Sequence, residues 1–386
     1  MNNKSKKLRL SFVTLTSVIF LVGYFVFNAT DNVFQIYVPQ HHLSYELFAK
    51  LNIRSGRWAF IIMAVCLLKS FQNLTYQRYL MLALLTTLLF FLLASISLET
   101  YPYISAISNA IYCLTEPWRQ LYVPSALRGS VEGITESLTG VIDLSVIGIE
   151  ARWEKHLGRF HSLIIVIAIC FLFFWLLTIL LEKNVRMQST QHTTKIVDLI
   201  VQNPSIFIFC GLGGINEGMY SYVYIFAEEA LASMPPQYYQ YICAISGIIG
   251  PVVLGMIADK KGFFSVAIFS AISLMICKFI YVVLMFSQIT SPMAYYTTVF
   301  FESAFATSVV ALSITLIGDR LNNQGIFRSF TLSNIFFGVG MLITARLEGW
   351  TSPSLWKMKL TMGCVNGVLI AVILYFYRQE KKVATT

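Results

Sequence analysis

Long apolar runs, each interrupted by a short polar or charged connection, repeat from one end of the chain to the other. A helix needs about 20 mostly apolar residues to cross the hydrocarbon core of a bilayer. Twelve segments qualify: residues 10–37, 56–72, 79–98, 101–124, 128–150, 161–182, 204–227, 237–258, 263–286, 293–318, 327–347 and 356–377. The second is short. The fifth carries Glu132, Glu136 and Asp143, so it can cross only if that face looks into protein or a watery cavity. The longest polar connection runs from Glu182 to Pro204 and divides the spans six and six. The pattern predicts an all-α polytopic membrane protein with an N-terminal six-helix bundle over 1–182, a cytoplasmic central loop over 183–203 and a C-terminal six-helix bundle over 204–386.

Composition agrees with that reading. Apolar residues make up 56% of the chain and charged residues 12%, which leaves a water-soluble fold too little polar surface. The net charge of +9 reflects Lys and Arg gathered in the connections. With the N-terminus inside, most of them fall on the side of the two termini, which predicts that both ends are cytoplasmic; Arg152, Lys155 and Arg159 run against the trend. No basic helix or aromatic-basic platform is present, so nucleic acid is not an expected partner. The basic stretch Lys4 to Arg9 precedes an apolar run too long for a cleaved leader, and we read it as part of an uncleaved first span in a bacterial cytoplasmic membrane. All seven cysteines lie in apolar runs without a CxxC pair, which predicts buried reduced thiols. The five histidines, among them the adjacent His41 and His42, lie in polar connections, so neither a cofactor nor a metal site is expected. A monomer surrounded by lipid is the expected state.

Polar side chains inside the spans are the candidates for a solute or coupling-ion path, because an ionisable group in hydrocarbon is costly unless it is paired or used. Tyr24, Asn28, Asp31 and Gln35 recur at helical spacing along the first span. If the helix ends near Thr30, Asp31 and Gln35 become loop residues. The seventh span offers Asn216, Glu217, Tyr220 and Tyr224, preceded by Gly211, Gly213 and Gly214, which allow a bend or a close helix neighbour. Glu302 stands as a lone carboxylate in the tenth span and is a candidate proton carrier, while Lys278 in the ninth reads as a lysine that snorkels to the interface. Asn334 in the eleventh offers a neutral hydrogen-bonding contact. In the fourth span Glu116 and Arg119 are three apart and face the same way; they are either a structural pair or a gate that exchanges partners with Glu132 and Glu136.

The segment from Gly250 to Gly262 ends the eighth span and starts the ninth with a charged hairpin. Gly255, Asp259 and Gly262 fall at i, i+4 and i+7, on one face of a helix end. With Lys260 after the aspartate, the run resembles the loop signature of the major facilitator superfamily, G-x-[LM]-[AS]-D-[RK]-x-G-[RK]-[RK]. Ile257 stands at the Leu/Met position, and Phe263 and Phe264 replace the two final basic residues. The resemblance implies two six-helix halves that rock around a central site, with Gly255 permitting close helix contact, Asp259 acting as a conformational latch, Lys260 filling the basic position and Gly262 permitting the turn. The first-half loop from Lys69 to Arg78 lacks this arrangement, and the arginine and Gly-Pro motifs of proton-coupled drug exporters are missing from the fourth and fifth spans.

The function expected from these features is secondary transport of a small organic solute by alternating access, without enzymatic activity and with the proton as coupling ion. Carboxylates in an aromatic-rich cavity suit an uncharged or cationic amphipathic solute and place export of a drug, antibiotic or siderophore-like compound ahead of uptake. The alternatives are an importer of a nutrient, peptide or siderophore, and, in other classes, a polytopic membrane enzyme or a transporter-like sensor. The enzyme reading lacks a His-carboxylate pairing and a phosphate-binding loop.

Overall fold

The computed structural model describes residues 123–156, 195–230, 236–289, 291–321, 326–351 and 354–385, with Ile61 and Gln120 as isolated positions. Eight α-helices occupy these residues: α1 (Arg128–His156), α2 (Ile196–Gln202), α3 (Pro204–Ala230), α4 (Pro236–Lys261), α5 (Phe263–Phe286), α6 (Pro292–Arg320), α7 (Ile326–Thr351) and α8 (Leu355–Thr385). Among the described residues five helices are long and apolar enough to cross a membrane, and α2 with the first part of α3 makes a sixth if that bent pair is one span. Pro124–Gly140 and Gln191–Thr386 form one compact unit, and Met1–Val123 with Val141–Thr190 form another. The contacts described below lie within the first of these.

Element boundaries follow local chemistry. The central connection does not stay irregular to its end, because α2 forms within it and then meets α3 at a bend of 88°. Asn203 closes α2 by donating from Nδ2 to the Leu199 carbonyl at 3.2 Å, and Pro204 opens α3 at a position where its missing N–H has no helical partner to lose. Between α4 and α5 the chain turns on Gly262, whose φ of 95° disfavours any residue with a Cβ, and whose N–H donates to the Ala258 carbonyl at 2.9 Å. Pro292 starts α6 in the same way that Pro204 starts α3.

The interior is built in two apolar layers. One joins Phe209 and Leu212 of α3, Ala258 of α4, Leu274 of α5, Leu312 of α6 and Ile373 of α8; the other gathers Ile215, Met219, Tyr281, Val299 and Met362. Between α3 and α7 small residues bring the backbones together. A Cβ on Gly214 would stand 1.9 Å from the Phe337 carbonyl oxygen, and one on Gly340 would stand 2.1 Å from that of Gly211. Thr344 completes the α3–α7 contact by donating to the Ile215 carbonyl at 2.7 Å. The glycines ahead of Asn216 therefore serve a close helix neighbour. Gly214→Val should force α3 and α7 apart and cost at least about 1–3 kcal/mol, the range for overpacking a close-packed contact. A thermal midpoint in detergent equal to that of the parent would refute this reading.

Candidate functional site

The α4–α5 hairpin positions Asp259 against the first turn of α1. That turn has no local side-chain cap in reach, since Leu127 and Arg128 stand where a Ser, Thr, Asp or Asn would be needed. Asp259 supplies the cap from another helix. Its Oδ1 accepts the Gly129 N–H at 2.8 Å, and its Oδ2 accepts both the Ser130 N–H at 2.8 Å and the Ser130 hydroxyl. A carboxylate here satisfies N–H groups that have no partner inside the helix and meets the positive end of the α1 dipole. Small residues make the approach possible: a Cβ on Gly255 would stand 2.2 Å from the Gly129 carbonyl oxygen, and one on Gly133 2.2 Å from that of Pro251. Ser137 adds a hydroxyl donated to the Ile248 carbonyl. Arg128 reaches in another direction and donates to the Gly318 carbonyl at the end of α6, where a cation is favoured. The start of α1 is thus held by α4 and α6 together.

A second cluster ties the ends of three helices. Glu380 of α8 accepts the Ser205 N–H at 2.9 Å and its hydroxyl at 2.7 Å, capping α3, and also pairs with Arg320 at 3.3 Å. The Arg320 guanidinium lies over Phe264 at 5.2 Å and over Tyr377 at 4.7 Å, and those two rings stack at 3.6 Å. The position where the sequence signature calls for a basic residue is therefore an aromatic platform, and the cation on it comes from α6.

Deeper in the unit, Glu302 of α6 is not the lone carboxylate that its neighbours in sequence suggest. Lys278 of α5 approaches its Oε1 at 3.4 Å, and Lys359 of α8 holds its Oε2. Both lysine side chains are only 2% exposed, and Glu302 12%. Lys278 does not snorkel, because Glu302 gives its ammonium an interior partner; it also contacts the Met219 sulfur at 3.2 Å. The Lys359 ammonium lies 4.1 Å from the centre of the Tyr281 ring. On the helices that carry Met219 and Lys359, Asn216 of α3 and Asn366 of α8 exchange amide hydrogen bonds, Asn366 donating at 3.0 Å and Asn216 at 3.4 Å. Both amides are buried, so each helix supplies what the other must satisfy.

The remaining expected positions are distributed around these clusters. Glu132 is fully buried on α1 and Glu136 partly so, and neither is without a partner. Glu217 lies midway along α3, partly buried and likewise engaged, whereas Asn334 on α7 is partly buried with no hydrogen bond among the described residues. Lys260 is exposed beside Asp259. Asn28, Asp31, Glu116 and Arg119 lie outside the described residues, as do the side chains of Tyr220 and Tyr224. Of the cysteines described, Cys210, Cys243 and Cys277 are buried, but Cys364 is exposed on α8, so an apolar run does not guarantee burial within the protein. The sequence reading overlooks Ser130, Arg320, Lys359, Asn366 and Glu380. The one signal for Lys359 is its place near the start of an apolar span, where it reads equally well as a loop residue.

No protein-family sequence model matches the chain, and no curated protein matches it by sequence. Solved structures do. The fucose:proton symporter FucP of E. coli superposes with a TM-score of 0.70 at 16% identity, over 96% of this chain and 98% of that one. The proton:xylose symporter XylE gives 0.71 at 12% identity, over 95% and 96%. The human organic anion transporter MFSD10 gives 0.67 at 10% identity, over 97% and 100%. These neighbours are transporters rather than enzymes, and the similarity runs through nearly the whole chain. The protein is an integral membrane protein with the fold of the major facilitator superfamily in a divergent sequence, and five helices among the described residues are long and apolar enough to cross the bilayer.

Proposed function

We propose that the chain is a secondary active transporter that moves a small organic solute by alternating access. Residues 1–182 and 204–386 are the two halves, joined through 183–203, with both termini cytoplasmic in a bacterial inner membrane. The observation that carries this reading is the Asp259 cap on α1, a helix that precedes the central connection while Asp259 follows it. Such a cap holds the two helices in one arrangement, and its release frees them for another, which is what a latch in an alternating-access cycle has to do. The proton is the coupling ion in this scheme. Glu302 is held by two lysines, and we assign the proton to Glu217, a carboxylate midway along α3. Export of an amphipathic compound remains the direction we favour. Uptake is the second reading, and it is supported by the proton symport named for FucP and XylE.

Proteoliposomes with an imposed pH gradient test the proposal. Solute flux is expected to follow the gradient in the parent protein, and Glu217→Gln is expected to lose gradient-driven accumulation by tenfold or more while keeping exchange of solute between the two sides, because exchange needs no net proton movement. Accumulation unchanged in Glu217→Gln would remove the residue from the coupling path. Movement with the proton identifies uptake, and movement against it export.

A further inference from the structure

The cluster of Lys278, Glu302 and Lys359 holds two ammonium groups and one carboxylate. Among the described residues their other contacts are the Met219 thioether and the Tyr281 ring, which soften the environment of the lysines without cancelling a charge. A buried charge left without a counter-charge costs several kcal/mol, so a site built this way is incomplete by one negative charge among the described residues. The two lysines are also held unequally. Lys359 grips Glu302 closely, whereas Lys278 stands at 3.4 Å, beyond a good charge-assisted hydrogen bond, and spends another contact on sulfur. Lys359 is the fifth residue of α8, just past its first turn.

We propose that Lys278 and Lys359 bind the carboxylate of a monoanionic organic solute, with Glu302 as the internal anion that holds the lysines in place when the solute is absent. The inference rests on the transporter reading and names the solute class for it. It reverses the preference for cationic or uncharged solutes that a count of carboxylates in the sequence suggests. One negative charge is missing among the described residues, so a monoanion balances the site and a dianion overshoots it. Met219 and Tyr281, which touch the two lysines, belong to one buried apolar cluster with Val299 and Met362, surroundings that suit a carboxylate attached to an apolar body.

The test uses the full chain in detergent and three probes of matched shape, benzoate, benzamide and benzylammonium, at constant ionic strength. A ligand that binds only the folded protein raises its thermal midpoint in a saturable way. Benzoate is expected to do so in the parent, and at least tenfold more weakly in Lys278→Gln and in Lys359→Gln, while the other two probes give no saturable shift. Each variant keeps one lysine on Glu302, so either one that folds completes the test. The proposal is overturned by an absent benzoate response in the parent, by an equal response in the folded variant, or by a stronger response to benzylammonium. Flux measurements separate the two levels of inference. Benzoate binding that depends on both lysines, without flux of any solute, leaves the site standing and overturns the transporter reading. Flux of a neutral or cationic solute that both variants preserve does the opposite.

Discussion

Replacing Glu302 with glutamine is expected to destabilise the protein by about 3–5 kcal/mol, the cost of removing one partner from a buried ion pair. The substitution keeps the side chain's shape and leaves two ammonium groups facing each other with no carboxylate between them. Lys278→Gln should be much milder, because Lys359 remains paired with Glu302 and the cluster becomes neutral. The contrast between the two variants is the informative quantity, since both exchange a charged group for the same amide-bearing side chain at one site. Unfolding curves in mild detergent measure it. If Glu302→Gln is no more harmful than Lys278→Gln, the two lysines are not both charged in the folded protein, and the charge argument for an anionic solute falls with that result.

Asp259→Ala is expected to expose the first turn of α1. Loss of an N-cap costs up to about 2 kcal/mol, which corresponds to roughly thirtyfold in the docking equilibrium. Hydrogen exchange reads this directly, because the Gly129 and Ser130 amides are the ones that Asp259 accepts. Exchange in a peptide covering 128–131 should rise by that factor, while peptides from the α3–α7 contact around Gly214 and Gly340 stay as they were. Asp259→Asn should fall between, since its amide oxygen can accept but carries no charge to meet the helix dipole. Unchanged exchange in the 128–131 peptide would show that the packing of Gly129, Gly133 and Gly255 holds the helix end without the carboxylate. Solute flux in the same variants then tells whether a loosened latch slows the cycle.

The helices were far more legible in the sequence than the clusters they carry. The span expected over 263–286 is α5 residue for residue, and that over 293–318 becomes α6 with one residue added at the start and two at the end. Such spans announce themselves because hydrocarbon demands a continuous apolar run and the ends are marked by Gly262, Pro292 and Arg320. The partners of Asp259 lie 130 and 129 residues away, and no local spacing points to them. Lys359 is 57 residues from Glu302 and Lys278 is 24, so a period-based reading shows three isolated charges where the fold makes one cluster. The aromatic replacements in the loop signature teach the same lesson. Phe264 breaks the pattern as a string of letters, and yet the cation expected there is present, supplied by Arg320.

Glu380 bears on how this protein can be handled. It lies in the last turns of α8, in a charged stretch that looks dispensable beside the apolar span before it, and it fastens Ser205 and Arg320. A shortened chain that stops before Glu380 is not a trimmed version of the same molecule, because it unfastens the start of α3 and leaves Arg320 on its aromatic platform without a counter-charge. Reporter fusions and purification handles belong beyond this residue, with enough linker that the last turn of α8 keeps its hold.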